Sequence, residues 1–117
     1  MQTINVIRPA LSMEQVIRFC GAVQDFNPIH YDEAFARAAG LPGVIAQGPL
    51  TYLLALDSLI AAKSLTSIGG FSVRFKAPVV PGATLSVTCD EQGKVTLIAG
   101  DKEALSGTVI TQAGRCA

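Results

Sequence analysis

The chain has 117 residues, half of them hydrophobic, and contains no Trp. Nine basic and nine acidic side chains cancel, and no basic run occurs, which excludes the clustered Lys and Arg that nucleic-acid binding requires. Residues 1–117 suit a single α+β domain with one core, and an apolar content this high in a small chain points to subunit contacts, which resemble cut-open cores.

Residues Thr3 to Ile7 alternate weakly and are read as a short strand. Ser12 is placed to cap a helix, with Gln15 three residues later completing a capping box. Val16, Phe19, Cys20 and Val23 then recur with helical spacing to about Gln24. Pro28 disfavours helical geometry at Asn27, so Asp25 to Tyr31 is a bent loop. Asp32 caps a second helix over about Glu33 to Ala39, closed by Gly40. A third helix starts at about Pro49 and is apolar on nearly every face, the pattern of a helix buried all round. It is interrupted by Asp57 and Ser58 and is shorter than the ~20 residues of a membrane span.

After Gly70 the period becomes two: Phe71, Val73 and Phe75, then Leu85 and Val87, then Val95 and Leu97, then about Ala104 to Thr111. The turns between them carry Pro81-Gly82, Gln92-Gly93 and Gly100. An antiparallel sheet wrapped around one central helix satisfies this order, which is the hot-dog arrangement. One such sheet leaves open edges, so a dimer is expected. Cys20, Cys89 and Cys116 show neither zinc spacing nor a disulfide framework, and a reduced cytoplasm is the expected location. Met1 to Arg8 holds no basic stretch leading into an apolar run, so no signal peptide is expected.

The single His of the chain lies in Asp25-Phe26-Asn27-Pro28-Ile29-His30-Tyr31-Asp32. On a straight helix Asp25 and His30 point apart, but the bend at Pro28 lets them converge. An imidazole of ordinary pKa about 6.5 beside a carboxylate can hold one water and move its protons. Asp-x-Asn-Pro is equally the composition of a surface turn, in which Asp and Asn bond to their own backbone.

Asp25-Phe26-Asn27-Pro28-Ile29-His30 resembles the Asp-x-Asn-Pro-x-His signature of the MaoC-like, (R)-specific enoyl-CoA hydratase family. Ala46-Gln47-Gly48-Pro49-Leu50 resembles the family's segment entering its central helix, and Val73-Arg74-Phe75-Lys76-Ala77-Pro78-Val79 with Gly82 its strand and turn. The three blocks span about Ala10 to Leu85 in order. The resemblance implies a hydratase or dehydratase acting on trans-2-enoyl or (3R)-3-hydroxyacyl thioesters. It further implies that Asp25 and His30 bind the catalytic water and that the Gly48 N–H stabilises the thioester oxyanion. Asn27, Gln47 and Tyr52 are the candidate substrate-binding residues. Where the family commonly carries a His before the glycine, this chain has Gln47, which cannot titrate.

Two rival readings remain. A hot-dog thioesterase would use a carboxylate on the central helix, where Asp57 is the candidate. A substrate-tunnel subunit of a heterodimer would be expected to lose the Asp or the His, and both are present here. No motif points to a metal or organic cofactor, since one His and scattered carboxylates cannot build a typical zinc site. The acyl group would arrive on coenzyme A or an acyl carrier protein, with Lys63, Arg74 and Lys76 as candidate contacts to its phosphates or acidic surface. The partner would be a second hot-dog subunit, identical or not.

Overall fold

The computed structural model describes residues 3–62 and 69–110. Ser12 accepts the Gln15 N–H at 3.1 Å and Gln15 Oε1 accepts the Ser12 N–H at 2.9 Å, so the capping box starts helix α1 (Met13–Val23). Gln24 ends it in the left-handed region at φ 58°, turning the chain into the Asp25 loop. A 3-10 turn (Pro28–His30) follows, then helix α2 (Glu33–Ala38), capped by the Asp32 carboxylate on the Phe35 N–H at 3.0 Å. Helix α3 runs Gly48–Ala61, with Pro in its first turn.

Five strands form one antiparallel sheet: β1 (Ile4–Arg8), β2 (Gly70–Phe75), β3 (Leu85–Cys89), β4 (Lys94–Ala99) and β5 (Lys102–Ile110), in the order β1-β3-β4-β5-β2. The last strand begins at Lys102, ahead of the expected Ala104, because Glu103 and Lys102 pair with Ile98 and Ala99 beyond a register shift between Leu97 and Ile98. Its expected end, Thr111, lies outside the described residues, as do Lys63 and Cys116. Cys20 and Cys89 are both buried. Among the described residues, no helix is long and apolar enough to cross a membrane.

Pairing sets a row of side chains across the sheet: Val6 opposite Val87, Val87 opposite Leu97, Leu97 opposite Leu105, and Leu105 opposite Phe75. Val87, Leu97 and Leu105 are fully buried and pack in one cluster with Leu50, Ala55 and Leu59 of α3. Each such buried Leu or Val contributes roughly 1.5–3 kcal/mol of transfer free energy. Arg8 fastens the other half of α3, donating to Leu54 O at 3.3 Å and Ser58 Oγ at 2.9 Å and pairing with Asp57 at 3.1 Å.

The central helix is not buried all round in the single chain. Leu53 and Ile60 are 45% and 50% exposed, because the one sheet covers only one flank of α3. Ile7, on the edge strand β1, is 74% exposed.

Gly107 of β5 faces Val73 of β2, and a Cβ built there would lie 2.1 Å from Ser72 O. The obstacle is backbone and cannot swing aside. Gly107→Ala is expected to cost about 3 kcal/mol or more in denaturant unfolding. An unchanged midpoint would contradict the close approach of β2 and β5.

Candidate active site

The Asp25 loop is built from local bonds that its own sequence supplies. Asp25 Oδ1 accepts the Asn27 N–H at 3.2 Å, and Asn27 Oδ1 accepts the Ile29 N–H at 3.2 Å, which opens the 3-10 turn. The Tyr31 hydroxyl donates to Phe26 O at 3.1 Å and closes the bend from outside. The convergence expected from Pro28 is present: His30 Nε2 lies 3.4 Å from Asp25 Oδ2. The imidazole is buried while the Asp25 side chain is 43% exposed, so the pair has one dry member and one wet one.

The other ring nitrogen of His30 fixes the tautomer. Nδ1 lies 2.8 Å from the Ile45 carbonyl, which can only accept, so Nδ1 carries the hydrogen. In the neutral ring Nε2 is then a bare lone pair turned toward Asp25. Ile45 also donates its N–H to Ile29 O at 3.1 Å, so the segment leading into α3 is zipped to the histidine loop by two bonds.

Ile45 is at the same time part of the wall of an apolar cavity of about 440 Å³, with Ala46, Gly48, Thr51, Phe75 and Val79 among its lining. That volume falls in the ~300–1,000 Å³ range of small-molecule sites. Gly48 is the first residue of α3, so its N–H has no acceptor within the helix and sits at the positive end of the helix dipole. The neighbouring Pro49 has no N–H to offer. Thr51, buried, donates to Gly48 O at 2.6 Å and steadies the same peptide.

The absence of a side chain at position 48 has a cause that sequence reasoning did not give. A Cβ there would lie 3.0 Å from the Phe75 ring, so the glycine is what lets that ring seat against the start of α3. Tyr52 does not line the cavity; its ring stacks on Phe71, with centroids 5.6 Å apart, and meets Phe75 at 6.4 Å. Asn27 holds the loop and is not among the cavity-lining residues. Gln47 is buried and turned away toward α1, donating to Val16 O and Cys20 Sγ. Ile45, Thr51 and Phe75 were missed in the sequence, since an Ile carbonyl, a helix hydroxyl and a strand aromatic carry no motif of their own. Asp57, the alternative carboxylate, is 69% exposed and paired with Arg8, nine residues along α3 from Gly48 and so about 13 Å away along its axis.

The MaoC like domain family matches residues 2–113 of the chain. The chain belongs to that family. An enoyl-CoA hydratase of Mycobacterium tuberculosis is 34% identical to this MaoC-like domain over 95 residues, 78% of this chain and 32% of that protein. A 3-hydroxyacyl-thioester dehydratase of the same organism is 44% identical over 69 residues, 53% of this chain and 23% of that one. The MaoC-like chain thus spans a third or less of the length of these relatives. Among solved structures, the (R)-hydratase from A. caviae involved in PHA biosynthesis superposes with a TM-score of 0.78 at 23% identity, covering 92% of this chain and 91% of that one. That likeness establishes the hot-dog fold.

Of the cationic candidates, Lys76 lines the cavity, Arg74 is exposed on β2, and Lys63 lies outside the described residues. The Lys76 ammonium hydrogen-bonds Glu103 and holds that carboxyl below its ordinary value. A lowered carboxyl pKa means that the pair contributes above the ordinary carboxylate range, near pH 4.3, and is lost as pH falls through the folded value.

Two outcomes test this geometry. Nitrogen-15 NMR of the single His is expected to show Nδ1 protonated and Nε2 bare in the neutral ring, and the opposite tautomer would contradict the Ile45 bond. Lys76→Met is expected to raise the Glu103 titration midpoint, followed by carbon-13 NMR of its carboxyl; a midpoint that stays low would remove Lys76 as the cause.

Proposed function

We propose that this MaoC-like domain is an (R)-specific hydro-lyase interconverting trans-2-enoyl and (3R)-3-hydroxyacyl thioesters. The observation that carries the reading is the His30 ring, whose Nδ1 is committed to the Ile45 carbonyl while Nε2 faces Asp25 at 3.4 Å. Such a pair can bind one water beside it, through a basic nitrogen and a carboxylate together. In hydration the water oxygen bonds to C3, the C2–C3 double bond opens, and C2 gains a proton. The pair takes one proton from the water and returns one to carbon, so it ends as it began. Negative charge gathers on the thioester carbonyl oxygen meanwhile, and the Gly48 N–H at the start of α3 is the donor we assign to it. The cavity behind Ile45 and Gly48 would take the acyl chain, and its apolar walls suit hydrocarbon.

The substrate carrier on this reading is coenzyme A or an acyl carrier protein, with Lys76 at the cavity as a contact for phosphate or an acidic surface. A second hot-dog subunit, identical or related, would cover the exposed Leu53 and Ile60 flank of α3 and the open edges β1 and β2. The retained Asp25 and His30 make this chain the catalytic member of any such pair. The thioesterase reading is disfavoured by Asp57, whose carboxylate engages Arg8 away from the cavity.

The test is loss of enoyl-thioester absorbance with crotonyl-CoA, for the unmodified chain and for Asp25→Asn and His30→Ala. Each substitution is expected to lower kcat by about 100-fold or more with the circular dichroism spectrum retained. Turnover that survives in either variant would strip that residue of its role. Release of free thiol in place of hydration would favour the thioesterase.

A further inference from the structure

Gln47 is 2% exposed, and its Nε2 donates to Val16 O at 3.1 Å and to Cys20 Sγ at 3.2 Å. Its Oε1 is buried and has no hydrogen-bond partner. The orientation of the amide follows from chemistry, because the atom beside a backbone carbonyl must be the donor. Val16 O lies within α1 and already accepts an intrahelical bond, so it does not depend on Gln47 for satisfaction. A buried acceptor without a donor destabilises a fold, and an unbranched apolar side chain would fill the same space without that defect. Fold stability therefore does not account for Gln47. What its donor ties together does.

Cys20 accepts through both its side chain and its backbone. Its thiol takes the Gln47 bond, and its backbone carbonyl takes the Asp25 N–H at 3.0 Å. A closed ring of contacts results: Asp25 to His30, His30 Nδ1 to Ile45 O, along the chain from Ile45 to Gln47, Gln47 to Cys20, and Cys20 back to Asp25. Gly48 is the next residue out of that ring. We infer that Gln47 is a positioning residue, which holds the Gly48 N–H in register with the Asp25–His30 pair. The inference rests on the hydratase reading and deepens it, because that reaction needs a donor at the carbonyl and a proton-handling pair at C2 and C3 simultaneously. A displacement of about 1 Å between two such groups can cost a factor of about 100 in rate.

The experiment compares the unmodified chain with Gln47→Leu, and with Gln47→Met should the branched side chain fail to fold. Removing the orphaned amide is expected to leave the melting temperature equal or higher while kcat on crotonyl-CoA falls by roughly 10- to 100-fold. KM and the pH midpoints of kcat/KM are expected to stay in place, since the substrate cavity and the Asp25–His30 pair are untouched. The Gly48 amide resonance in a proton–nitrogen spectrum is expected to move. A folded variant that keeps its kcat, or whose Gly48 resonance does not move, would overturn the positioning role. The two readings fail separately. An unmodified chain without hydratase activity sinks the reaction assignment, whereas the Gly48 resonance decides the tie whether or not the chain turns over.

Discussion

Ile45 offers one N–H and one carbonyl, and both engage the loop that carries His30. Everything chemically distinctive in this domain depends on that two-bond zipper. It buries an imidazole without leaving Nδ1 unpaired, which would otherwise cost about 1–3 kcal/mol. It selects the tautomer whose Nε2 faces Asp25. It also places the helix that begins three residues later, because Ile45, Ala46 and Gln47 form the short segment that leads directly into Gly48, held at its other side by the Ala46 N–H on Val79 O at 2.8 Å. The Asp25–His30 pair and the start of α3 are therefore not two independently folded features. One backbone position serves both.

The sheet supplies the complementary wall. Its row of opposed side chains ends at Phe75, and that ring rests on Gly48 because no Cβ stands in its way. The cavity lies between this aromatic edge and the start of the helix, with Val79 and Ala46 behind it. Its floor is thus set by strand register, and its polar end by a helix terminus. A register slip in β2 would move Phe75 to the other face of the sheet and open the cavity, which ties that cavity to the same pairing that closes the core.

Much of this was legible in the sequence because it is local. The Ser12–Gln15 box, the Asp32 cap, Pro49 in the first turn of α3 and the alternation of the last four strands all depend on residues within one or two turns of each other. The convergence of Asp25 and His30 was legible for the same reason, since the Asx bonds and Pro28 that bend the loop lie between them. The rest depends on contacts between distant segments. Gln47 read as a substrate contact and is instead turned toward α1, a bond spanning 31 positions of sequence. Gly48 read as room for a substrate and is also room for Phe75, 27 positions away. The one-sided burial of α3 could not be read from its apolar composition, because hydropathy does not distinguish a flank covered by the chain's own sheet from one left for another surface.

On the proposed reaction, a thioester lies with its carbonyl oxygen on the Gly48 N–H and its C3 oxygen at the Asp25–His30 pair. The most direct measurement is a crystal structure of the Asp25→Asn variant, slowed for turnover, with (3R)-3-hydroxybutyryl-CoA bound. The expected arrangement has the carbonyl oxygen about 3 Å from the Gly48 nitrogen and the 3-hydroxyl within hydrogen-bond reach of His30 Nε2. A thioester bound with its carbonyl directed away from the start of α3, or with its hydroxyl out of reach of His30, would contradict it.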